Sequence, residues 1–459
     1  MLDTIAAIST AMGEAGIGIV RMSGKESLSI ASNVFKGKTI ENFKEAINRR
    51  LTYGYIYDPE DGTIVDEVLI VYMKKPHTYT REDIVEIYCH GGVIAVKKIL
   101  EILLKNGARL AEPGEFTKRA FLNGRLDLSQ AEAVIDLIKA KTDKSYSVSL
   151  NQLEGSLSIK VNEIRKILLN MLAHIEVSID FPEEDVEEVT YDELLKDSQK
   201  VLEEIDKLLS TAERGKILRE GLNTVILGKP NVGKSSLLNA ILRENRAIVT
   251  DIPGTTRDII EEYVNIEGIP LKIIDTAGIR DTEDLVEKLG VDRAKNVVEK
   301  ADLIIAVFDA SRSLTKEDED IINIVKEKRS IVLLNKTDLP NEYDVEELSN
   351  YIPDKKIIST SIANGEGIEE LEKTIVDMFY SGEVELSGEA IVTNMRHTDM
   401  LNRARKNIID VISGIEMNVP LDCIEVDVKN CWNHLGEISG ETVSEDILDK
   451  IFSEFCIGK

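Results

Sequence analysis

The pattern of hydrophobic and polar positions divides the chain into three kinds of segment. Residues 1–118 mix short apolar runs with helical patterns, which is typical of an α+β domain. Apolar residues recur at helical spacing through residues 119–215 and again through residues 381–459. Between them, residues 216–380 alternate strands with helices, which predicts a parallel sheet. The chain is therefore predicted to be multidomain, with an α+β N-terminal domain and an all-α helical domain into which an α/β domain is inserted.

Individual elements follow from the same pattern. In the N-terminal domain we expect strands at Thr4–Ser9, Gly18–Met22, Glu67–Met73 and Ile84–Tyr88, and helices at Ser27–Phe35 and Val93–Asn106. In the helical domain, Ser129 to Glu132 resembles a capping box at a helix start, and Asp180–Asp185 indicates an acidic loop. Further helices are expected at His397–Ser413 and Ser444–Phe455.

The composition is that of a soluble globular protein, with 43% hydrophobic and 30% charged residues. The apolar runs are too short to span a bilayer, and the first residues lack the features of a signal peptide. Four cysteines without metal-ligand spacing favour a reduced cytoplasm. We therefore expect a cytoplasmic protein that does not associate with a membrane. A net charge of −27 argues against a general nucleic-acid binder but leaves a local basic patch open.

One glycine-rich stretch carries the clearest chemistry. Gly228–Ser235 reads Gly-Lys-Pro-Asn-Val-Gly-Lys-Ser, after the apolar run Thr224–Leu227 and before a predicted helix at Ser236–Leu242. This strand–loop–helix order is the context that a phosphate-binding loop requires. Lys234 supplies a positive charge for the β- and γ-phosphates, and Ser235 a hydroxyl for Mg²⁺. The alternative is a chance glycine turn before a helix.

Further motifs follow the loop in a fixed order, at Gly254–Asp258, Asp275–Gly278, Asn335–Asp338 and Ser361 with Gly365–Gly367. Thr256 is expected to close onto Mg²⁺ only when the γ-phosphate is present, and Asp275 to hold the metal shell. Asp338 can accept two hydrogen bonds from guanine that adenine does not offer, so the predicted nucleotide is GTP. The inserted domain is thus predicted to be a Ras-like P-loop GTPase domain.

The complete predicted GTP site is large. Its residues are Asn231, Val232, Gly233, Lys234, Ser235, Ser236, Thr250, Asp251, Ile252, Pro253, Gly254, Thr255, Thr256, Asp275, Thr276, Ala277, Gly278, Asn335, Lys336, Asp338 and Ser361. Two positions depart from the usual pattern. Ile279 stands where Ras-like proteins carry the glutamine that orients water, so another group must do this. Ile362 and Ala363 replace the usual Ala-Lys after Ser361, which we expect to alter affinity without abolishing binding.

Motifs outside the GTPase core point to one family. Arg21 closes the stretch Gly-Ile-Gly-Ile-Val-Arg, Glu86 the stretch Glu-Asp-Ile-Val-Glu, and Pro113–Gly124 reads Pro-Gly-Glu-Phe-Thr-Lys-Arg-Ala-Phe-Leu-Asn-Gly. The sequence closes on Phe-Cys-Ile-Gly-Lys, which is similar to a Cys-x-Gly-Lys signature. Together these motifs resemble the MnmE (TrmE) family of tRNA-modification GTPases across nearly the whole chain.

The resemblance implies a function. Members of the family work with the flavoprotein MnmG (GidA), which carries FAD, in a heterotetramer built on a homodimer. Together they place an aminomethyl or carboxymethylaminomethyl group on C5 of the wobble uridine (position 34) of certain tRNAs. The resemblance also implies a reduced folate, 5-formyl- or methylene-tetrahydrofolate, as the one-carbon donor. Arg21, Glu86, Arg125 and Lys459 would bind it, with surface charge as the alternative for each.

The resemblance also implies that K⁺ stimulates hydrolysis. Asn231, Thr250, Ile252 and Thr255 would be its ligands, and the alternative for Asn231 is an ordinary polar turn residue. The predicted catalytic residues are Glu287, Lys234 and Cys456. Glu287 would position the attacking water, acting from the second of the two segments that respond to the γ-phosphate (the second switch). The alternative is a surface glutamate. Cys456 could take part in chemistry or be a packed or spare thiol.

Two other classes of function are compatible with the GTPase core. One is a GTP-controlled scaffold or ribosome-assembly factor, which would need neither the N-terminal motifs nor the Cys-x-Gly-Lys segment. The other is a membrane-remodelling GTPase, which would need a lipid-binding apolar or polybasic segment that the sequence lacks. The motifs therefore favour the modification enzyme.

Overall fold

The computed structural model describes residues 3–38, 43–180, 191–245, 262–274, 298–379 and 389–459. These residues form two compact units. The first unit comprises the described residues up to 135 together with residues 433–459, and the second comprises the described residues from 136 to 432. Within these ranges, no helix is long and apolar enough to cross a bilayer.

The first unit is built on a sheet that has seven strands among the described residues. Numbered in chain order but given in spatial order, they are β3 (Phe35–Gly37), β4 (Thr52–Tyr57), β5 (Ile64–Met73), β6 (Ile84–Cys89), β2 (Gly18–Ser23), β1 (Ile5–Ile8) and β7 (Arg109–Leu110). Neighbouring strands are antiparallel except for the parallel pair β1 and β7. The helices with residues in this unit are α1 (Ser27–Val34), α2 (Val93–Lys105), α3 (Glu115–Leu122), α4 (Leu128–Lys139), α14 (Leu421–Ser439) and α15 (Glu445–Ser453).

Strand alternation separates a core face from a polar face in this sheet. Val20 of β2 and Val85 of β6 are buried in a cluster that includes Ile99 of α2. Successive side chains of a strand point to opposite faces. Arg21 and Glu86, each one residue further along its strand, therefore lie on the face away from that cluster.

The second unit contains a helical part and a sheet. The helices of its helical part are α5 (Asp143–Leu153), α6 (Ser156–Asp180), α7 (Tyr191–Ser210), α8 (Ala212–Glu220), α13 (Met395–Glu416) and most of α14. Helix α7, which precedes the α/β segment, packs against α13, which follows it. Arg405 Nε lies 2.6 Å from Asp206 Oδ1 across this contact. The helices on either side of the α/β segment thus share one bundle, as expected for an inserted domain.

The sheet of the second unit has the order β13-β12-β11-β8-β10-β9. Its strands are β8 (Leu222–Leu227), β9 (Glu262–Ile266), β10 (Ile269–Ile273), β11 (Leu303–Asp309), β12 (Ser330–Asn335) and β13 (Lys356–Thr360). All neighbours are parallel except β9 and β10. The accompanying helices are α9 (Lys234–Asn245), α10 (Lys316–Glu327), α11 (Val345–Tyr351) and α12 (Ile368–Phe379). Strands β11 and β12 are buried along their whole length, which is why they read as continuous apolar runs.

The predicted elements of the N-terminal domain and the two late helices are confirmed, with small shifts at their ends. Strands β3, β4 and β7 and helix α14 were not predicted. Strand β4 carries Gly54, which weakens a strand pattern. The structure explains this glycine, because an added Cβ would lie 2.4 Å from the Lys36 carbonyl oxygen. The boundaries at residues 118, 215 and 380 stay predictions.

The prediction of a helix cap at Ser129 is wrong. Helix α4 begins at Leu128, and Asp127 caps it. Asp127 Oδ1 accepts a hydrogen bond from the Gln130 amide (2.9 Å), and Gln130 Oε1 accepts one from the Asp127 amide (3.0 Å). This reciprocal pair is a capping box two residues earlier than predicted. The predicted acidic loop after Asp180 falls on residues 181–185, outside the described ranges.

Candidate functional site

The phosphate loop joins the end of β8 to the start of α9. Asn231 and Gly233 both have positive φ, of 63° and 113°, so the loop turns twice before the helix begins. The Lys234 ammonium donates hydrogen bonds to the carbonyl oxygens of Gly228 (2.6 Å) and Lys229 (2.8 Å). The loop therefore curves around the Lys234 side chain. Ser235 is exposed in the first turn of α9, where a helix N-terminus favours phosphate.

Asn335 connects this loop to two other predicted motifs. Its side-chain amide donates a 2.8 Å hydrogen bond to the Val232 carbonyl oxygen. Its Oδ1 atom accepts hydrogen bonds from the Ile362 amide (3.2 Å) and the Thr360 hydroxyl (3.3 Å). Asn335 is only 3% exposed, so these partners replace water. A Cβ on Gly233 would lie 2.4 Å from Asn335 Nδ2, which explains the glycine.

The predicted base-reading segment, Asn335–Asp338, begins at the last residue of β12. The Lys336 ammonium lies 2.6 Å from Asp309 Oδ2 at the end of the neighbouring strand β11. Burial opposes ionisation of Asp309, but the hydrogen bonds from Lys336 and Ser311 outweigh it and hold its pKa below the usual value. The Ser361 hydroxyl donates a 2.7 Å hydrogen bond to Asp338 Oδ1. Asp338 is exposed, so its carboxylate is oriented and also accessible to a base.

The described part of this site fits a guanine nucleotide. Residues 231–236, Asn335, Lys336, Asp338 and Ser361 lie at the carboxyl ends of parallel strands, in the last residue of β12, in the connecting loops or in the first turn of α9. Sheets of α/β domains bind their ligands at this edge. The remaining predicted residues lie outside the described ranges: Thr250, Asp251, Ile252, Pro253, Gly254, Thr255, Thr256, Asp275, Thr276, Ala277, Gly278, Ile279 and Glu287. Their roles in binding Mg²⁺, K⁺ and water stay predictions.

A second cluster lies in the first unit, on the polar face of its sheet. Arg21 Nε donates a 2.8 Å hydrogen bond to Glu86 Oε1, and the Tyr88 hydroxyl donates one of 2.7 Å to Glu86 Oε2. Burial and the bond to Glu86 raise the pKa of Tyr88 to about 12, so its hydroxyl is protonated at neutral pH. The two oxygen atoms of the Glu86 side chain thus each accept a hydrogen bond.

Two aromatic side chains join this pair to the other predicted residues. The Arg21 guanidinium lies 5.9 Å from the Tyr79 ring centroid and 5.8 Å from that of Phe116. The Arg125 guanidinium lies 4.7 Å from the Tyr79 ring, and its Nη1 is 3.4 Å from the Tyr79 carbonyl oxygen. The Phe116 amide donates to the Lys459 carbonyl oxygen (3.2 Å). Arg21 and Arg125 therefore share the Tyr79 ring, Glu86 is bonded to Arg21, and the backbone of Lys459 is bonded to that of Phe116.

The helix that carries Phe116 is fixed by a buried cation. Arg119 of α3 is 1% exposed, and its guanidinium bonds Glu82 (2.9 Å) and Asp3 (2.8 Å). The Tyr79 hydroxyl and the Thr117 hydroxyl are 2.9 Å apart. These contacts give the Pro113–Gly124 motif a structural role beside the predicted site.

Tyr79, Phe116 and Tyr88 were missed at the sequence level. Phe116 belongs to the Pro113–Gly124 motif, which could have marked it as a candidate site residue. Nothing in the sequence indicated its contacts with Arg21 and Lys459. Tyr79 is in a loop between β5 and β6, and only the fold brings it beside Arg125. Cys456 is exposed and its thiol is free. Its backbone carbonyl oxygen accepts a hydrogen bond from the Gly114 amide (3.3 Å).

This chain is similar to known proteins over its whole length. A family model described as the MnmE helical domain matches residues 128–456, and one described as the GTP-binding protein TrmE N-terminus matches residues 4–125. The tRNA modification GTPase MnmE of Alkaliphilus oremlandii (strain OhILAs) is 60% identical over 457 residues, or 100% of this chain and 99% of that protein. The proteins of the same name from Finegoldia magna and Clostridioides difficile (strain 630) are each 58% identical, over 100% of this chain and 100% and 99% of their own lengths. The chain belongs to the MnmE family of tRNA modification GTPases.

Proposed function

We propose that this chain is a potassium-stimulated GTPase that, with the flavoprotein MnmG, modifies C5 of the wobble uridine of certain tRNAs. The reaction installs an aminomethyl or carboxymethylaminomethyl group and takes its carbon from a reduced folate. The working unit is a homodimer that binds MnmG in a heterotetramer. GTP binding belongs to the second unit, and folate binding belongs to the first.

The hydrogen bonds of Asn335 carry the GTP part of the proposal. They connect the phosphate loop at Val232 with the base-reading segment and, through Ile362, with the motif that begins at Ser361. Such a connection places the two ends of one nucleotide at a defined separation. Lys234 and Ser235 would hold the phosphates and Mg²⁺. Asp338, oriented by Ser361, would read guanine.

The cluster around Tyr79 and Phe116 supports the folate part. Arg21 and Arg125 offer guanidinium groups that suit the carboxylates of a glutamyl tail, and both lie over the Tyr79 ring. Lys459 would add a third cation. Glu86, held by Arg21 and Tyr88, is a hydrogen-bond acceptor for the amino edge of a pterin.

GTP turnover measured in potassium and in sodium tests the GTPase assignment. We expect much faster hydrolysis in K⁺, because K⁺ and Na⁺ share a charge but differ in size and only K⁺ should fit the cage formed with Asn231. Glu287→Ala should leave GTP binding nearly intact and lower turnover by about 10²–10⁴-fold, as for a lost water-positioning group. Equal rates in the two salts would remove the cation role.

Folate titration of the purified protein tests the second activity. Wild-type protein should bind 5-formyl-tetrahydrofolate, and Arg21→Ala should lose this binding while keeping potassium-stimulated GTP turnover. A protein that binds GTP but no folate would fit a GTP-controlled scaffold instead. Light scattering without nucleotide should show a dimer formed through the N-terminal domain, and a clean monomer at micromolar concentration would contradict it.

A further inference from the structure

The segment Cys456–Lys459 is held on the first unit by its backbone. Ile457 forms an antiparallel bridge with Pro113, and the Ser9 hydroxyl donates to the Gly458 carbonyl oxygen (3.2 Å). The carbonyl oxygens of Cys456 and Lys459 accept hydrogen bonds from the Gly114 and Phe116 amides at the start of α3 (3.3 and 3.2 Å). Gly114, the N-cap of α3, has no side chain to cap the helix. The segment therefore supplies acceptors that the helix start needs.

Gly458 lies close to the end of β1. It has a φ of 92°, which L-residues adopt only with strain. A Cβ at this position would lie 2.2 Å from the Ile8 carbonyl oxygen and 3.2 Å from Ser9 Cα. Both neighbours are backbone atoms of the strand and of the residue after it, so no side-chain movement can relieve the contact. Only glycine fits here without moving the segment.

We infer that Gly458 is a positioning residue for the anion-binding end of the folate site. By letting the segment lie on Ile8 and Ser9, it holds the Lys459 carbonyl oxygen at the Phe116 amide, and the Phe116 ring lies 5.8 Å from the Arg21 guanidinium. Lys459 then joins Arg21 and Arg125 as a third cation for a ligand with more than one carboxylate, such as a glutamyl tail. This inference rests on the proposed folate site.

The test compares Gly458→Ala with Gly62→Ala. Gly62 also has a positive φ, of 74°, but no atom beyond its two chain neighbours lies within 4 Å of its added Cβ, so this control carries the backbone strain without the contact. Hydrogen exchange at the Gly114 and Phe116 amides reports docking of the segment independently of any ligand. Titration with 5-formyl-tetrahydrofolate reports ligand binding, and GTP turnover reports the second unit.

In Gly458→Ala we expect faster exchange at both amides and a folate Kd that rises by about tenfold, with GTP turnover equal to that of Gly62→Ala. Lys459→Ala should raise the Kd by a similar factor while leaving exchange at both amides unchanged. The double variant should bind folate no more weakly than either single variant. Once the segment is displaced, Lys459 no longer contributes to binding, so its removal has no additional effect.

The outcomes separate the inference from the proposed function. Unchanged hydrogen exchange at the Gly114 and Phe116 amides in Gly458→Ala would overturn the docking role, whatever the folate titration shows. Faster exchange with unchanged folate affinity would overturn the positioning role and leave the folate site standing. Additive losses in the double variant would also overturn it. Wild-type protein that binds no folate would refute the proposed function itself, and the positioning role with it.

Discussion

The side-chain amide of Asn335 donates a 2.8 Å hydrogen bond to the carbonyl oxygen of Val232, more than a hundred residues earlier in the chain. Val232 is in the phosphate loop, and Asn335 ends the strand that leads to the base-reading segment. The same Asn335 side chain accepts a hydrogen bond from the Ile362 amide. One buried amide therefore connects three segments that are each predicted to contact a different part of a nucleotide.

Asn335→Ala should weaken nucleotide binding and destabilise the GTPase domain. The substitution leaves the Ile362 amide without its present acceptor, and the loss of such buried bonds costs about 1–3 kcal/mol. We expect lower stability to urea and an affinity for fluorescent GDP reduced more than tenfold. Asn341→Ala, at an exposed position nearby, is the matched control. Wild-type affinity in Asn335→Ala would show that the three loops are positioned by other contacts.

Asp338→Asn should change base preference from guanine to xanthine. The carboxylate is acceptor-only, whereas an amide offers donors to the second carbonyl of xanthine. GTP affinity should fall by about 100-fold, because two hydrogen bonds to a charged group are lost, and xanthosine triphosphate should bind better than GTP. Ser361→Ala, which removes the 2.7 Å bond to Asp338, should weaken GTP less and keep the preference for guanine. Competition binding with both nucleotides measures this, with exposed Asp354→Asn as control. Unchanged GTP affinity in Asp338→Asn would mean that this loop does not read the base.

Lys336→Met should cost more stability at pH 7 than at pH 4. In the wild type the folded pKa of Asp309 lies below its ordinary value of 3.8, so the pair stabilises the fold above that pH and its contribution is lost as the pH falls through the folded pKa. Without Lys336, burial of the 4% exposed Asp309 should raise its pKa and penalise the charged form. We expect a loss of about 1–3 kcal/mol at pH 7 that shrinks toward pH 4.

Urea unfolding at the two pH values measures the difference. The exposed Lys326→Met is the matched control, since it removes a lysine from the same domain without touching Asp309. Equal losses at both pH values in Lys336→Met would indicate that packing of the Lys336 stem, and not its charge, supports the domain.

Tyr79→Leu should weaken folate binding while leaving GTP turnover unchanged. The ring lies beneath the Arg21 and Arg125 guanidinium groups, and each such contact contributes about 0.5–1 kcal/mol at exposed sites. Loss of both should raise the folate Kd by about tenfold. Tyr79→Phe keeps the ring and removes only the hydroxyl contact with Thr117, so it should bind nearly as the wild type does. Equal losses in the two variants would assign the effect to the hydroxyl.

The sequence by itself was enough to predict a phosphate loop at Gly228–Ser235 and a base-reading segment at Asn335–Asp338. Each is a contiguous motif next to a strand, and its local geometry depends on residues that are adjacent in the chain. Strands β11 and β12 were equally readable, because strands buried on both faces are continuous apolar runs. Arg21 and Glu86 were named only through the resemblance to the family, and the structure places both on the sheet face opposite the core residues.

Only the tertiary structure decided how distant residues combine. Asn335 was predicted to contact nucleotide, but its bond to Val232 depends on the pairing of β12 with β11, and of β11 with β8. The Tyr79 ring lies close to Arg21 of β2 and to Arg125, which follows α3, and no local pattern encodes contacts between segments so far apart in sequence. Gly458 was recognised as part of a motif, but only the structure explains why glycine is needed there: a Cβ would collide with the backbone of Ile8. Local patterns report a residue's own conformation and burial, whereas a site is made by the packing of segments that are far apart in sequence.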